Sequence, residues 1–142
     1  MILTTIDKAL TLAKARNWTK IYWAIDIHGT IFPSTWNETV DFTFYPFAKE
    51  TLQLLSERTD CILIVYTSTH SSKLLEYIDF FGKNKIYFQY ANSNPEVKSD
   101  SYGKYSEKFY FNILLDDKAG FAPITDWKII FDKMSNTQSL GN

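Results

Sequence analysis

Hydrophobic and polar positions along this chain switch repeatedly between a helical period and short apolar runs. Over residues 4–18, Ile6, Leu10 and Ala13 fall on one helical face, and Thr4 and Asp7 have capping-box spacing. Residues 20–25 (Lys-Ile-Tyr-Trp-Ala-Ile) read as a strand. Across residues 31–45, Pro33 and Asn37 signal turns. Val40, Phe42 and Phe44 alternate with Asp41, Thr43 and Tyr45, which predicts a short hairpin flap. Pro46 opens a helix over 46–58, with Ala48, Leu52 and Leu55 on one face. Residues 61–66 (Cys-Ile-Leu-Ile-Val-Tyr) are continuously apolar, the pattern of a strand buried on both faces of a parallel sheet. A helix over 71–81 runs through Leu74, Ile78 and Phe81, with Gly82 as its stop. Strands over 85–90 and 110–115 bracket a polar loop at 91–107. A last helix covers about 125–134, and the composition of Ser135 to Asn142 suggests a flexible tail.

Strands alternating with helices imply right-handed crossovers and an open, mainly parallel sheet. The fold class is therefore α/β, three-layer and Rossmann-like. The length of 142 residues suits one domain, 1–142, able to bury about two-thirds of its surface. Fifteen basic and sixteen acidic residues leave a net charge of −1, which gives no strong nucleic-acid footprint. The single cysteine, Cys61, excludes an internal disulfide and a cysteine-rich zinc site, and its place at a buried strand argues for packing rather than reactivity. With no secretory signal and no long apolar run, the expectation is a soluble, cytoplasmic protein without membrane partners.

Ligands of open parallel sheets bind outside the carboxyl ends of the strands. One strand ends in Asp26-Ile27-His28-Gly29-Thr30, a second in Thr67-Ser68-Thr69, and the last in Asp116-Asp117. Three carboxylates and several hydroxyls thus converge on one rim. Like charges so placed call for a neutralising ion, and Mg²⁺ suits a few carboxylates with water and a phosphate. Each piece alone has an ordinary explanation: a turn at Gly29, a helix cap at the acidic pair, a surface lysine at Lys108. Their order at successive strand ends is what carries weight.

This constellation resembles the haloacid dehalogenase-like superfamily of phosphohydrolases. The resemblance spans residues 20–117. Asp26-Ile27-His28-Gly29-Thr30 matches the family's Asp-x-Asp-x-Thr motif, Thr67 after Ile62–Tyr66 its second motif, and Asp116-Asp117 its acidic pair. Lys108 is the best match for the motif lysine, with Lys104 as the fallback. The resemblance implies a Mg²⁺-dependent phosphomonoesterase with Asp26 as nucleophile. Asp26, the His28 carbonyl, Asp116 and Asp117 would serve the metal. Thr30, Thr67, Ser68 and Lys108 would contact the phosphorylated substrate.

The sequence departs from the family at His28, where a second Asp ordinarily protonates the leaving group. A histidine can do acid–base work itself. Alternatively, the change marks a weakened phosphate- or partner-binding module. A response-regulator receiver is a third possibility, disfavoured because the acidic pair follows the last strand rather than the first. Neither inter-motif gap holds a large cap domain. The site is therefore expected to be open to a small molecule or a macromolecule's phosphorylated end.

Overall fold

A computed structural model describes residues 1–34, 42–97 and 108–141. Among these are four α-helices and four strands. They are α1 (Ile2–Ala15), β1 (Ile21–Ile25), α2 (Ala48–Glu57), β2 (Cys61–Val65), α3 (Ser71–Lys83), β3 (Tyr90–Ala91), β4 (Ile113–Leu115) and α4 (Pro123–Ser135). The sheet has the order β3-β2-β1-β4, and every pairing is parallel. The protein is α/β and Rossmann-like, consistent with a three-layer arrangement.

Register explains the core. Ile21, Trp23 and Ile25 of β1 lie opposite Cys61, Leu63 and Val65 of β2, and Trp23 and Ile25 lie opposite Ile113 and Leu115 of β4. Side chains on a strand alternate faces, so these residues share one side of the sheet. All belong to one apolar cluster with Ile6 and Leu10 of α1, Leu52 and Leu55 of α2, Tyr77 and Phe81 of α3, and Trp127 and Ile130 of α4. The alternate residues Ala24, Ile62 and Ile64 are also buried, so β2 has no solvated face. That accounts for its unbroken apolar run. On this second side, Tyr22 meets Tyr110 edge-on at 5.9 Å. Glu96 accepts from Tyr22 Oη at 3.2 Å and Tyr90 Oη at 2.7 Å, and pairs with Lys20 at 2.8 Å.

The outer strands are shorter than their apolar runs suggest. The expected strand at 85–90 is realised only as Tyr90–Ala91, and that at 110–115 only as Ile113–Leu115. Side-chain amides extend the ladder instead. Gln89 Oε1 accepts from Leu63 N at 2.8 Å while Gln89 N donates to Leu63 O at 2.9 Å. Asn112 repeats this on β1, accepting from Tyr22 N through Oδ1 at 2.8 Å and donating from its own N to Tyr22 O at 2.8 Å.

Other boundaries shift as well. Helix α1 starts at Ile2 with Met1 as its cap, so Thr4 lies within the helix and caps nothing. Helix α2 is entered from Phe47, in the left-handed region at φ 65°, rather than at Pro46. Gly82 does not stop α3, which continues to Lys83. Of the expected flap, 35–41 lie outside the described residues, and 42–45 form no strand. Phe42 and Phe44 pack on Phe80 and Phe32, with Phe42 and Phe80 stacked at 4.2 Å.

The last residues, where composition suggested flexibility, are tied to the core as far as Leu140. Arg58 Nη1 donates to the carbonyls of Met134 (3.0 Å) and Thr137 (2.9 Å). Asp60, itself bridged to Arg58 at 2.9 Å, accepts from Leu140 N at 3.0 Å. Cys61 is buried, and burial followed by the Asp60 charge pushes its thiol up to about 12. Among the described residues, no helix is long and apolar enough to cross a membrane.

Candidate active site

The turn after β1 is built around one carbonyl. Ile27 O accepts from the backbone N–H groups of Thr30, Ile31 and Phe32 at 2.8 to 3.2 Å. So tight a reversal needs a positive φ, and Gly29 supplies it at 79°. Gly29 is needed for space too. A Cβ there would stand 2.6 Å from Asp117 Oδ2. Asp26 N donates to Leu115 O at 2.9 Å, which carries the β1–β4 ladder one residue further and sets Asp26 beside the acidic pair.

Thr30 is the hub beneath the site and is fully buried. Its Oγ1 donates toward Asp26 Oδ2 at 3.2 Å and Asp117 Oδ1 at 3.3 Å, two acceptors for one proton. The same oxygen accepts from Asp117 N at 3.0 Å. Asp116 caps the 3₁₀ turn Asp117–Ala119 by accepting from Lys118 N at 3.0 Å. As a result, Asp26, Asp116 and Asp117 can each bring a carboxylate oxygen within 4.8 Å of the others.

A cleft of about 430 Å³ opens over this group, lined by Asp26, His28, Ser34, Tyr66, Thr67, Ser68, Asp116, Asp117 and Lys118. Thr67 is held at its rim by Asn92. Thr67 N donates to Asn92 Oδ1, and Asn92 Nδ2 donates to Thr67 O, both at 2.9 Å. Its hydroxyl donates to Thr69 Oγ1 at 2.9 Å. His28 Nε2 lies 2.9 Å from Tyr77 Oη. Burial, and then the Lys73 charge, lower the pKa of His28.

The expected site residues thus separate. Asp26, His28, Thr67, Ser68, Asp116 and Asp117 line one cleft, and Thr30 supports it from below. Lys108 does not. It is exposed and is not among the lining residues, whereas Lys118 is. Lys104 lies outside the described residues. Sequence reasoning missed Lys118, Tyr66 and Ser34. Lys118 had a signal, its adjacency to the acidic pair, because the turn capped by Asp116 carries it back toward the rim.

Burial pushes the Asp26 carboxyl up to about 7, with the Asp116 charge adding to the effect and the Thr30 bond opposing it. A half-buried carboxylate facing two others is stable as an anion only beside positive charge. An all-oxygen set of this kind fits a hard divalent cation such as Mg²⁺.

No family model matches the chain, and no curated protein matches it. Among solved structures, a conserved protein coded by a locus of Bacteroides thetaiotaomicron is similar at 26% identity and a TM-score of 0.64. The match covers 84% of this chain and 93% of that one. It supports the fold described above.

Proposed function

We propose that the protein is a Mg²⁺-dependent phosphomonoester hydrolase that uses Asp26 as its nucleophile. The observation carrying this reading is the meeting of Asp26, Asp116 and Asp117 at the carboxyl ends of β1 and β4, in a cleft shared with Thr67. Asp26, Asp116 and Asp117 would hold the cation, which when bound offsets the repulsion between carboxylate and phosphate. Asp26 would attack phosphorus and form an aspartyl-phosphate that water then hydrolyses. The Thr67 hydroxyl and Ser68 would bind phosphoryl oxygens. Lys118, on the same rim, would supply the cationic contact expected of Lys108. The open cleft suits either a small phosphomonoester or the phosphorylated end of a larger molecule.

The test is phosphate release from sugar phosphates, nucleotides and end-phosphorylated oligonucleotides, with Mg²⁺ and with chelator, in wild type and Asp26→Asn. Release that needs both Asp26 and the cation supports the reading. Release that survives Asp26→Asn overturns it.

One observation favours a second reading, a phosphate- or partner-binding module. The position that carries an acid–base carboxylate in the resembled family is a half-buried imidazole engaged by Tyr77. A metal-dependent phosphate affinity without turnover, together with activity gained in His28→Asp, would establish that module instead.

A further inference from the structure

One large aromatic ring stands at the lip of the cleft. Tyr66 follows the last residue of β2, lines the cleft beside Thr67, and is 40% exposed. Its backbone is fixed, because Tyr66 N donates to Ile25 O at 2.9 Å and carries the β1–β2 ladder one residue beyond Val65. Phe109 meets the Tyr66 ring edge-on, with centroids 5.8 Å apart at 72°. Phe111 meets Phe109 in the same way, at 5.7 Å and 62°, and is itself 36% exposed. Tyr110, between them in the chain, packs elsewhere, against Tyr22 and Asn112. Three rings therefore form a strip that ends in the cleft. A single exposed aromatic is ordinary on a protein surface. A strip of them continuous with a polar cleft is the make-up of a ligand site, an apolar wall beside a few polar groups.

We propose that Tyr66, buttressed by Phe109, is the stacking surface for the base of a nucleoside monophosphate, which makes nucleotides the preferred substrate class of this cleft. The inference rests on the phosphohydrolase reading above for the place of the phosphate. An edge-on neighbour steadies the Tyr66 ring without lying parallel on it, and among the described residues no ring stacks on it in parallel. A planar base stacks on such a ring with a gain that depends little on which base it is, because every base has a π-face. Chain order sets the layout of the ligand. Thr67 and Ser68, which bind phosphoryl oxygens in the reading above, directly follow Tyr66, so the phosphate and the ring are neighbours in one cleft of about 430 Å³. Ser34, on the same lining, offers a hydroxyl to the sugar between them. A sugar phosphate without a base keeps the phosphate and sugar contacts and lacks the stack.

The experiment uses the phosphonate analogues of adenosine monophosphate and of ribose 5-phosphate, whose carbon bridge resists hydrolysis. Each is titrated by calorimetry, with Mg²⁺, into wild type, Tyr66→Leu and Tyr66→Phe. Tyr66→Leu puts an aliphatic side chain in place of the planar ring at an exposed position, and Tyr66→Phe keeps the plane. Wild type should bind the adenosine analogue about tenfold more tightly than the ribose analogue, the scale of one base–aromatic stack. That ratio should fall to about one in Tyr66→Leu and persist in Tyr66→Phe. In proton NMR, the adenine ring protons should move upfield on binding wild type and stay in place with Tyr66→Leu. A wild-type ratio near one, no measurable binding of the adenosine analogue, or a ratio that survives Tyr66→Leu would overturn the proposal. Phosphate release separates this claim from the reading beneath it. Base-dependent binding with no phosphate released from adenosine monophosphate would sink the hydrolase and leave the stacking surface standing. Release from adenosine monophosphate and ribose 5-phosphate at equal kcat/KM, in wild type and Tyr66→Leu alike, would sink the stacking surface and leave the hydrolase.

Discussion

The indole Nε1 of Trp127 donates to the backbone carbonyl of Thr30 at 2.8 Å, ninety-seven residues away in the chain. Thr51 Oγ1 donates in turn to the carbonyl of Trp127 at 2.8 Å. The turn that carries Asp26 and Thr30 is thereby fastened from below to α4 and, through it, to α2. Trp127→Phe keeps an aromatic ring in the core but leaves the Thr30 carbonyl buried without this partner. Such a loss costs about 1–3 kcal/mol. Urea denaturation should show a lower midpoint with an unchanged slope. An unchanged midpoint would mean that the bond contributes nothing.

Gly29→Ala should damage the site more than the fold. The left-handed φ of 79° disfavours any Cβ, by about 1–2 kcal/mol. The larger effect is local, because that Cβ would press on the Asp117 carboxylate. Mg²⁺ or Mn²⁺ affinity, measured by calorimetry, should fall at least about tenfold while the variant remains folded. Such a drop equals about 1.4 kcal/mol of binding free energy. Undiminished affinity would show that Asp117 is free to move without consequence.

Asp26 gives the metal-free protein a particular pH dependence. Its folded pKa, raised to about 7, lies above the ordinary carboxyl value of 3.8. Between those values the folded state holds a proton that the unfolded state has released. Asp26 thus favours folding fully below about pH 4, and that contribution is lost as pH rises through about 7. In chelator, the melting temperature of wild type should fall from pH 5 to pH 8 more than that of Asp26→Asn, which has no proton to lose. Parallel curves would remove Asp26 as the source. Adding Mg²⁺ should flatten the wild-type curve.

Arg58 and Asp60 behave in the opposite sense. Burial alone would raise the Asp60 pKa, but the paired bonds from Arg58 and the N–H of Leu140 outweigh it and hold it below 3.8. The pair's contribution is therefore present above about pH 4 and is lost as pH falls through the depressed value. Arg58→Ala strands a buried carboxylate and frees the carbonyls of Met134 and Thr137. A loss of about 3–5 kcal/mol is expected in chemical denaturation near neutral pH. A loss below about 1 kcal/mol would place the pair among ordinary surface bridges.

Much of the fold was legible because apolar runs report burial directly. Residues 61–66 read as a doubly buried strand, and Cys61–Val65 are all buried at the centre of the sheet. The convergence of Asp26 with Asp116 and Asp117 followed from strand ends alone. The outer strands were less legible for a physical reason. Ile86 is buried in the core before any ladder begins, so its apolarity records packing rather than pairing. Amide side chains at Gln89 and Asn112 then mimic backbone, which no hydrophobic pattern reveals. The lysine was illegible in another way. From sequence the choice lies between Lys108 and Lys104, whereas Lys118 lines the cleft because of the way the turn capped by Asp116 sends the chain.

The brevity of β3 and β4 also governs how this molecule meets its own kind. Edge strands of two and three residues are about 7–10 Å long. Among the described residues, an incoming strand would find at most one or two ladder bonds on either of these edge strands, too few to hold a second chain in register. The strand with the most apolar sequence, β2, is enclosed between β1 and β3, where no neighbouring molecule can reach it. The segment best suited to seeding fibrils is therefore the one the topology hides.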